Sequence, residues 1–268
     1  MTLIISWIGV DNKKDGKGTS SIYIASDSRY TWGNSEKFDY GIKVFGSSKH
    51  PEIFGFCGDV LFPSTILGQI IPQIDNGILI GPNDGVDMKN KRVFEFMKSS
   101  FETYPKDFLA DNTFTILHAT RFKNKFKLFM TTIGKDKNLK NKEVELPNFS
   151  TKVFSDGSGK TEFNKNWEKW ENPKHNNYRT SRGVYHCLSE TLKEIKDPRT
   201  GGLPQIVGLY RNENMRLFGI VENKKKYIYG KESSEDINSK SIEWRNNNFE
   251  RIDPETLKIF EGAQRQPS

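Results

Sequence analysis

The sequence predicts an α+β protein in which two antiparallel sheets stack together with helices on the outside. Three observations lead there. Short, β-branched apolar runs come in hairpin-like pairs separated by polar turns. Helix-period apolar stripes come in twos between those pairs. The regular strand–helix alternation of a doubly wound parallel sheet is not seen.

The elements follow in order. Residues 2–9 carry an apolar strand pattern, and the polar Asn12–Gly18 reads as a hairpin loop leading to a strand at Ser21–Ser26. Short strands are predicted at Ile42–Phe45 and Ile53–Cys57. A helix starts at Pro63 or Ser64, because proline suits a first turn, and Ile66, Leu67, Ile70 and Ile71 form one stripe to about Ile74. Val93, Phe94, Met97 and Phe101 mark a second helix over about Arg92–Tyr104. Strands are predicted at Thr113–Ala119, Lys125–Ile133 and Thr151–Phe154. Helices follow near Thr161–Trp170 and Thr180–Lys196, then strands at Gln205–Tyr210, Arg216–Glu222 and Lys226–Tyr229, with a lysine-rich turn at Lys224–Lys226. Residues 1–230 read as one domain with insertions near 77–91 and 171–179. Residues 231–268 read as a polar C-terminal extension with a short helix at Pro254–Phe260 and a loose end over Gln264–Ser268.

Composition narrows the function classes. The chain has 268 residues and a net charge of +7, but its 41 Lys and Arg are interspersed with 34 Asp and Glu, which argues against a nucleic-acid stripe. Two distant cysteines, Cys57 and Cys187, suit reduced, buried thiols. The four histidines lack paired spacing, so no metal or cofactor is expected. The first apolar run ends near residue 10 without a basic flank or cleavage pattern, so neither a signal peptide nor a membrane span is read, and a cytoplasmic protein is expected. Gly157-Ser158-Gly159-Lys160-Thr161 mimics the end of a phosphate-binding loop, but position 154 is Phe where that loop needs Gly. The five tryptophans show no stacking regularity and read as core or subunit contacts.

Chemistry starts at the N-terminus. Thr2 follows Met1 directly, and a threonine freed at a chain end carries a nucleophile and a base in one residue. Further on come Ala25-Ser26-Asp27-Ser28-Arg29, Gly41-Ile42-Lys43-Val44, Gly55-Phe56-Cys57-Gly58, Asp156-Gly157-Ser158-Gly159 and Asp197-Pro198-Arg199-Thr200-Gly201-Gly202. In this order, over roughly residues 2–222, they resemble the proteasome β-subunit family of N-terminal-nucleophile hydrolases, above all its bacterial heat-shock-type members.

The resemblance implies a four-layer αββα sandwich and a threonine peptidase. It implies Thr2 as nucleophile, Asp27 and Lys43 as the carboxylate and lysine beside it, and Gly58 as an oxyanion donor. Ser158, Asp197 and Thr200 would order the amine, Thr200 standing where serine is usual. Tyr30, Gly41, Phe56, Val60 and Ser64 would line the first specificity pocket, which implies cleavage after apolar residues. Asp59 stands at the pocket mouth where a small residue is common. Peptide or unfolded-protein substrate, a homo-oligomeric ring and an ATPase unfoldase partner are further implications. The physical chemistry agrees. A free α-amine has a pKa of about 7.7–8.0, and a neighbouring lysine cation lowers it by like-charge repulsion.

Each residue also has a plainer structural role open to it. Asp27 and Arg29 suit a strand-end turn with a surface ion pair, Lys43 a solvated strand lysine, Ser158 a helix cap and Asp197-Pro198 a helix stop. A small-molecule amidase and a non-catalytic structural subunit are the alternative functions, because fold alone does not fix substrate.

Overall fold

The computed structural model describes residues 2–11, 18–33, 36–108, 113–133, 136–233 and 242–263. The loop at Asn12–Lys17 and the end at Gln264–Ser268 therefore lie outside the described residues. Chain order is β1 (Leu3–Asp11), β2 (Gly18–Ser26), β3 (Tyr30–Trp32), β4 (Glu36–Phe38), β5 (Val44–Gly46), β6 (Glu52–Gly58), α1 (Leu61–Asp75) and α2 (Val86–Glu102). There follow β7 (Phe114–Phe122), β8 (Lys125–Ile133), β9 (Leu139–Val144), β10 (Thr151–Gly157), α3 (Lys160–Trp170), α4 (Ser181–Glu194), β11 (Gln205–Tyr210), β12 (Met215–Glu222), β13 (Lys225–Ile228), β14 (Lys231–Glu232) and β15 (Ile242–Asn246).

The larger sheet runs β10-β1-β2-β11-β12-β13-β14, with β15 added in parallel on β12; the smaller runs β5-β6-β7-β8-β9, and β3–β4 form a separate hairpin. The alternation of β1 sorts its side chains between two cores. Leu3, Ile5 and Trp7 join Phe163, Trp167, Val184 and Tyr185 of α3 and α4. Ile4 and Ile8 face Val44, Ile53, Leu117 and Leu128 of the smaller sheet. A third core packs Ile66, Ile70, Val93 and Met97 of α1 and α2 on Phe54, Phe56 and Ile116. Burial on both faces explains why β1 reads as an almost unbroken apolar run.

The expected four-layer αββα sandwich is corrected by the balance of elements. The molecule is mostly antiparallel sheet, with 39% strand against 25% helix and four α-helices among the described residues, which is more β-rich than such a sandwich. The excess lies partly in strands that the apolar pattern does not mark. Strands β3, β4, β9, β14 and β15 are short or polar, and β9 (Leu-Lys-Asn-Lys-Glu-Val) is a sheet edge that needs no second apolar face.

The C-terminal segment departs from expectation too. No helix forms at Pro254–Phe260. Asp253 instead accepts the N–H groups of Glu255 and Thr256 in a tight turn, and Ile252 bridges to Ile259. Strand β15 buries Trp244 against Gly219, and Phe249 and Ile252 are buried. Helix α2 begins at Val86, six residues before the predicted Arg92, because Asp87 suits a first turn and Lys89 and Asn90 are buried on polar partners that an apolar stripe does not reveal. Trp7, Trp167, Trp170 and Trp244 are buried, but Trp32 is exposed. No helix among the described residues is long and apolar enough to cross a membrane.

Candidate active site

One end of the larger sheet gathers the residues singled out above. The register pairs Leu3 with Gly157, Ile4 with Ser26 and Ser26 with Gln205. The start of β1, the end of β2, the end of β10 and the start of β11 therefore meet there. The segment leading into β5 brings Lys43 from the smaller sheet.

Asp27 and Lys43 form a fully buried ion pair, Nζ to Oδ1 at 2.8 Å. Asp27 is saturated with donors. Its Oδ1 also accepts the Leu3 N–H at 3.0 Å, and its Oδ2 accepts the N–H groups of Arg29 at 3.2 Å and Gly201 at 2.9 Å. These bonds fix the carboxylate one residue from Thr2. Burial pushes the Lys43 ammonium below the ordinary lysine value, and Asp27 opposes that shift by charge and hydrogen bond. The reading of Lys43 as a solvated strand residue is excluded by its complete burial.

Thr2 is buried and held by its backbone. Its N–H donates to the Arg199 carbonyl at 3.3 Å, and its carbonyl accepts from the Gly159 N–H at 3.2 Å and the Ser158 hydroxyl at 3.5 Å. Ser158 Oγ lies 3.1 Å from Thr200 Oγ1, which donates to Asp197 Oδ2 at 3.2 Å. Burial raises the Asp197 carboxyl, but hydrogen bonds from Ser158 and Arg199 outweigh it and leave the group below its usual value. Gly157, at φ +97°, lets the backbone approach Thr2, since a Cβ there would stand 2.1 Å from the Thr2 carbonyl oxygen. Gly58 ends β6 at φ +90°, where a Cβ would strike the Thr113 carbonyl oxygen. Its neighbour Cys57 packs against Gly157.

The pocket residues are partly brought together. Tyr30, Phe56 and Val60 share one apolar cluster. The Tyr30 ring lies 5.7 Å from Lys43 Nζ, and its hydroxyl donates to the Ile42 carbonyl. Burial raises the Tyr30 phenol, so it stays a donor. Gly41 bonds through its N–H to the Ser28 carbonyl. Ser64 turns its hydroxyl back to the Leu61 carbonyl within α1. Asp59 is buried, and its Oδ1 accepts the Phe62 N–H at the start of α1. That anchoring ties it to the helix start.

Two features escaped the sequence. Gln205 is buried and braces the site by four hydrogen bonds. Its Oε1 accepts the N–H groups of Lys43 and Val44, and its Nε2 donates to the carbonyls of Asp27 and Gly41. The Arg29 side chain pairs with Asp39 and not, as the turn reading requires, with Asp27, which is taken by Lys43; it also donates to the carbonyls of Pro198 and Thr200, tying the end of β2 to the loop before β11. A Gln at the start of a strand gives no periodic signal; only its distant partners reveal the role. Cys57 and Cys187 are free and buried, and burial pushes each thiol up to about 12, so neither is a ready nucleophile. Among the described residues, no cluster of His, Cys, Asp and Glu fits a metal ion.

No protein-family model matches the chain, and no curated protein matches it in sequence.

Proposed function

We propose that this protein is an N-terminal threonine hydrolase acting on peptide bonds. The observation that carries the reading is the fully buried Lys43–Asp27 pair anchored on the Leu3 N–H, immediately beside Thr2. A buried ion pair is costly to build unless its geometry is good, and this one is weak evidence for stability alone.

Cleavage of the Met1–Thr2 bond frees the Thr2 amine. Thr2 Oγ1 then attacks the substrate carbonyl while the amine takes its proton, directly or through water. The C–N bond breaks, the amine proton passes to the leaving nitrogen, and an acyl ester on Thr2 remains. Water attacks that ester and restores Thr2. Lys43 holds the amine pKa down by like-charge repulsion, and the Gly58 N–H is the proposed oxyanion donor. Ser158, Thr200 and Asp197 position the amine through the bonded chain that reaches the Thr2 backbone.

The backbone supports this reading. Thr2 has φ +100°, a torsion unfavourable for a β-branched residue. That torsion exists only while the Met1–Thr2 bond is intact, so cleavage removes the strain. The apolar cluster that holds Tyr30, Phe56 and Val60 is the proposed lining for the substrate side chain, and it would favour cleavage after apolar residues. A homo-oligomeric ring, an ATPase unfoldase partner and a cytoplasmic location belong to the same proposal. Exposed Trp32, Phe38 and Tyr40 beside the site are candidates for subunit or substrate contact.

The test is an intact-mass measurement followed by assay on a fluorogenic peptide amide. Met1 should be absent, Thr2→Ala inactive but folded, and Thr2→Ser partly active. Full activity in Thr2→Ala with Met1 removed would refute the mechanism.

A further inference from the structure

At the opposite end of β1, about 23 Å from Thr2 by strand rise, lies a cavity of about 1040 Å³. It is framed by the ends of β1 and β2, the segment entering α4, the β11–β12 turn and the segment around β15. Six arginines line it: Arg179, Arg182, Arg211, Arg216, Arg245 and Arg251. Among the described residues the lining supplies three carboxylates against them, Asp11, Glu213 and Glu243. A cavity of this size stands at the upper limit of small-molecule sites, about 1,000 Å³.

The guanidinium groups are held in place, and arginines outnumber the carboxylates among the described lining residues. Arg211 is anchored through Nε and Nη2 on the carbonyls of Thr19 and Gly18. Arg216 pairs with Glu213, and Arg245 with Glu243. Arg245 still keeps a buried Nε–H with no acceptor among the described residues. Arg179 stacks on Phe149 at 4.1 Å, and Arg251 on Phe260 at 4.4 Å. Among the described residues, neither of these two forms an ion pair. Stacking fixes the plane of a guanidinium and leaves its N–H edge to bind an anion. Burial pushes Arg182 below the ordinary arginine value; the nearby Glu250 opposes that shift, and the like charge of Arg245 adds a smaller push in the same direction as burial.

We propose that this cavity binds a small polyanion carrying two or more phosphoryl groups. The arginines arrive from three separated stretches of chain, and hence from different directions. A phosphoryl group presents three strong acceptor oxygens spread in space, whereas a carboxylate presents two in one plane. The arginines gather around a cavity instead of running along a stripe, which favours a compact ligand over a nucleic-acid strand. The proposal is independent of the hydrolase reading.

The test is calorimetric titration of the full chain with inorganic tripolyphosphate at physiological salt, with citrate and a short single-stranded oligonucleotide as comparison ligands. Tripolyphosphate should bind at least about tenfold more tightly than citrate, and raise the melting temperature. The double variant R179A/R251A, which alters two exposed side chains, should melt like the wild type without ligand and lose about tenfold or more in affinity. R182Q should weaken binding as well. Absence of both heat and thermal shift with tripolyphosphate would overturn the proposal, as would binding unchanged in the double variant. Tighter binding of the oligonucleotide with the same arginine dependence would overturn the small-ligand assignment.

Discussion

Replacing Gln205 with leucine tests whether one side chain braces the candidate site. Leucine is close to glutamine in volume, so the variant opens little cavity. It strands two N–H groups, of Lys43 and Val44, and two carbonyls, of Asp27 and Gly41, all on buried residues. A buried polar group left unpaired costs about 1–3 kcal/mol. At the low end of that range the four groups cost about 4 kcal/mol, set against a whole-domain stability of ~5–15 kcal/mol. The melting temperature should fall by roughly 10 °C. Urea unfolding, with the midpoint and slope compared to wild type, reads this directly.

Gln205→Glu supplies a sharper check. A carboxylate still accepts the two N–H groups but faces two carbonyl oxygens, so its folded pKa is raised above the unfolded glutamate value of about 4.3. Its stability relative to wild type should be highest below that value and fall as pH rises through the folded pKa. A leucine variant that loses under about 1 kcal/mol, together with a pH-independent glutamate variant, would refute the bracing role.

Three further outcomes are expected. Lys43→Ala leaves Asp27 buried without its cation and should cost about 3–5 kcal/mol; Lys43→Arg should fail to restore kcat, because a flat guanidinium does not fit a compact ammonium's place, and near-wild-type rates in either variant would contradict the mechanism. Asp39 is held below its usual value chiefly by the Arg29 hydrogen bond, and Asp197 is also lowered; stability should therefore hold above about pH 3.9 and fall as pH drops through the folded pKa values, a decline that Asp39→Asn should shrink in an acid denaturation series. Buried Glu52 accepts from Lys89 at 2.6 Å, His118 at 2.9 Å and Thr120 at 3.0 Å; Lys89→Met should cost about 3 kcal/mol, and Glu52→Gln in the same chain should return part of it in a double-mutant cycle, strict additivity being the contrary result.

Much of the chain was legible because local burial leaves a period. The two-residue alternation of Leu3, Ile5 and Trp7 against Ile4 and Ile8 marks β1, and the stripe of Ile66, Leu67 and Ile70 marks α1. Of the site, Asp27, Lys43, Ser158, Asp197 and Thr200 were named from motif order, and the structure joins them by hydrogen bonds or ion pairs around the Thr2–Leu3 backbone. The element balance was less legible. Edge and add-on strands such as β9 and β15 satisfy their backbones through a neighbour and need no apolar stripe of their own. Asp253 turned a predicted helix into a turn by capturing two N–H groups locally.

The sequence by itself determined which short segments bury apolar side chains, and so where most of the strands and helices lie. It also set the sixteen-residue spacing between Asp27 and Lys43 on which the proposed mechanism draws. Only the tertiary structure decided the partners. Gln205 reaches Lys43 across 162 positions of chain, and Arg29 reaches Pro198 and Thr200 across 169 and 171. Six of the arginines that look interspersed along the chain converge on one cavity. Periodicity records burial, a property of each segment alone. A hydrogen bond or a shared field depends on which distant groups folding brings within a few ångströms, and no local pattern carries that information.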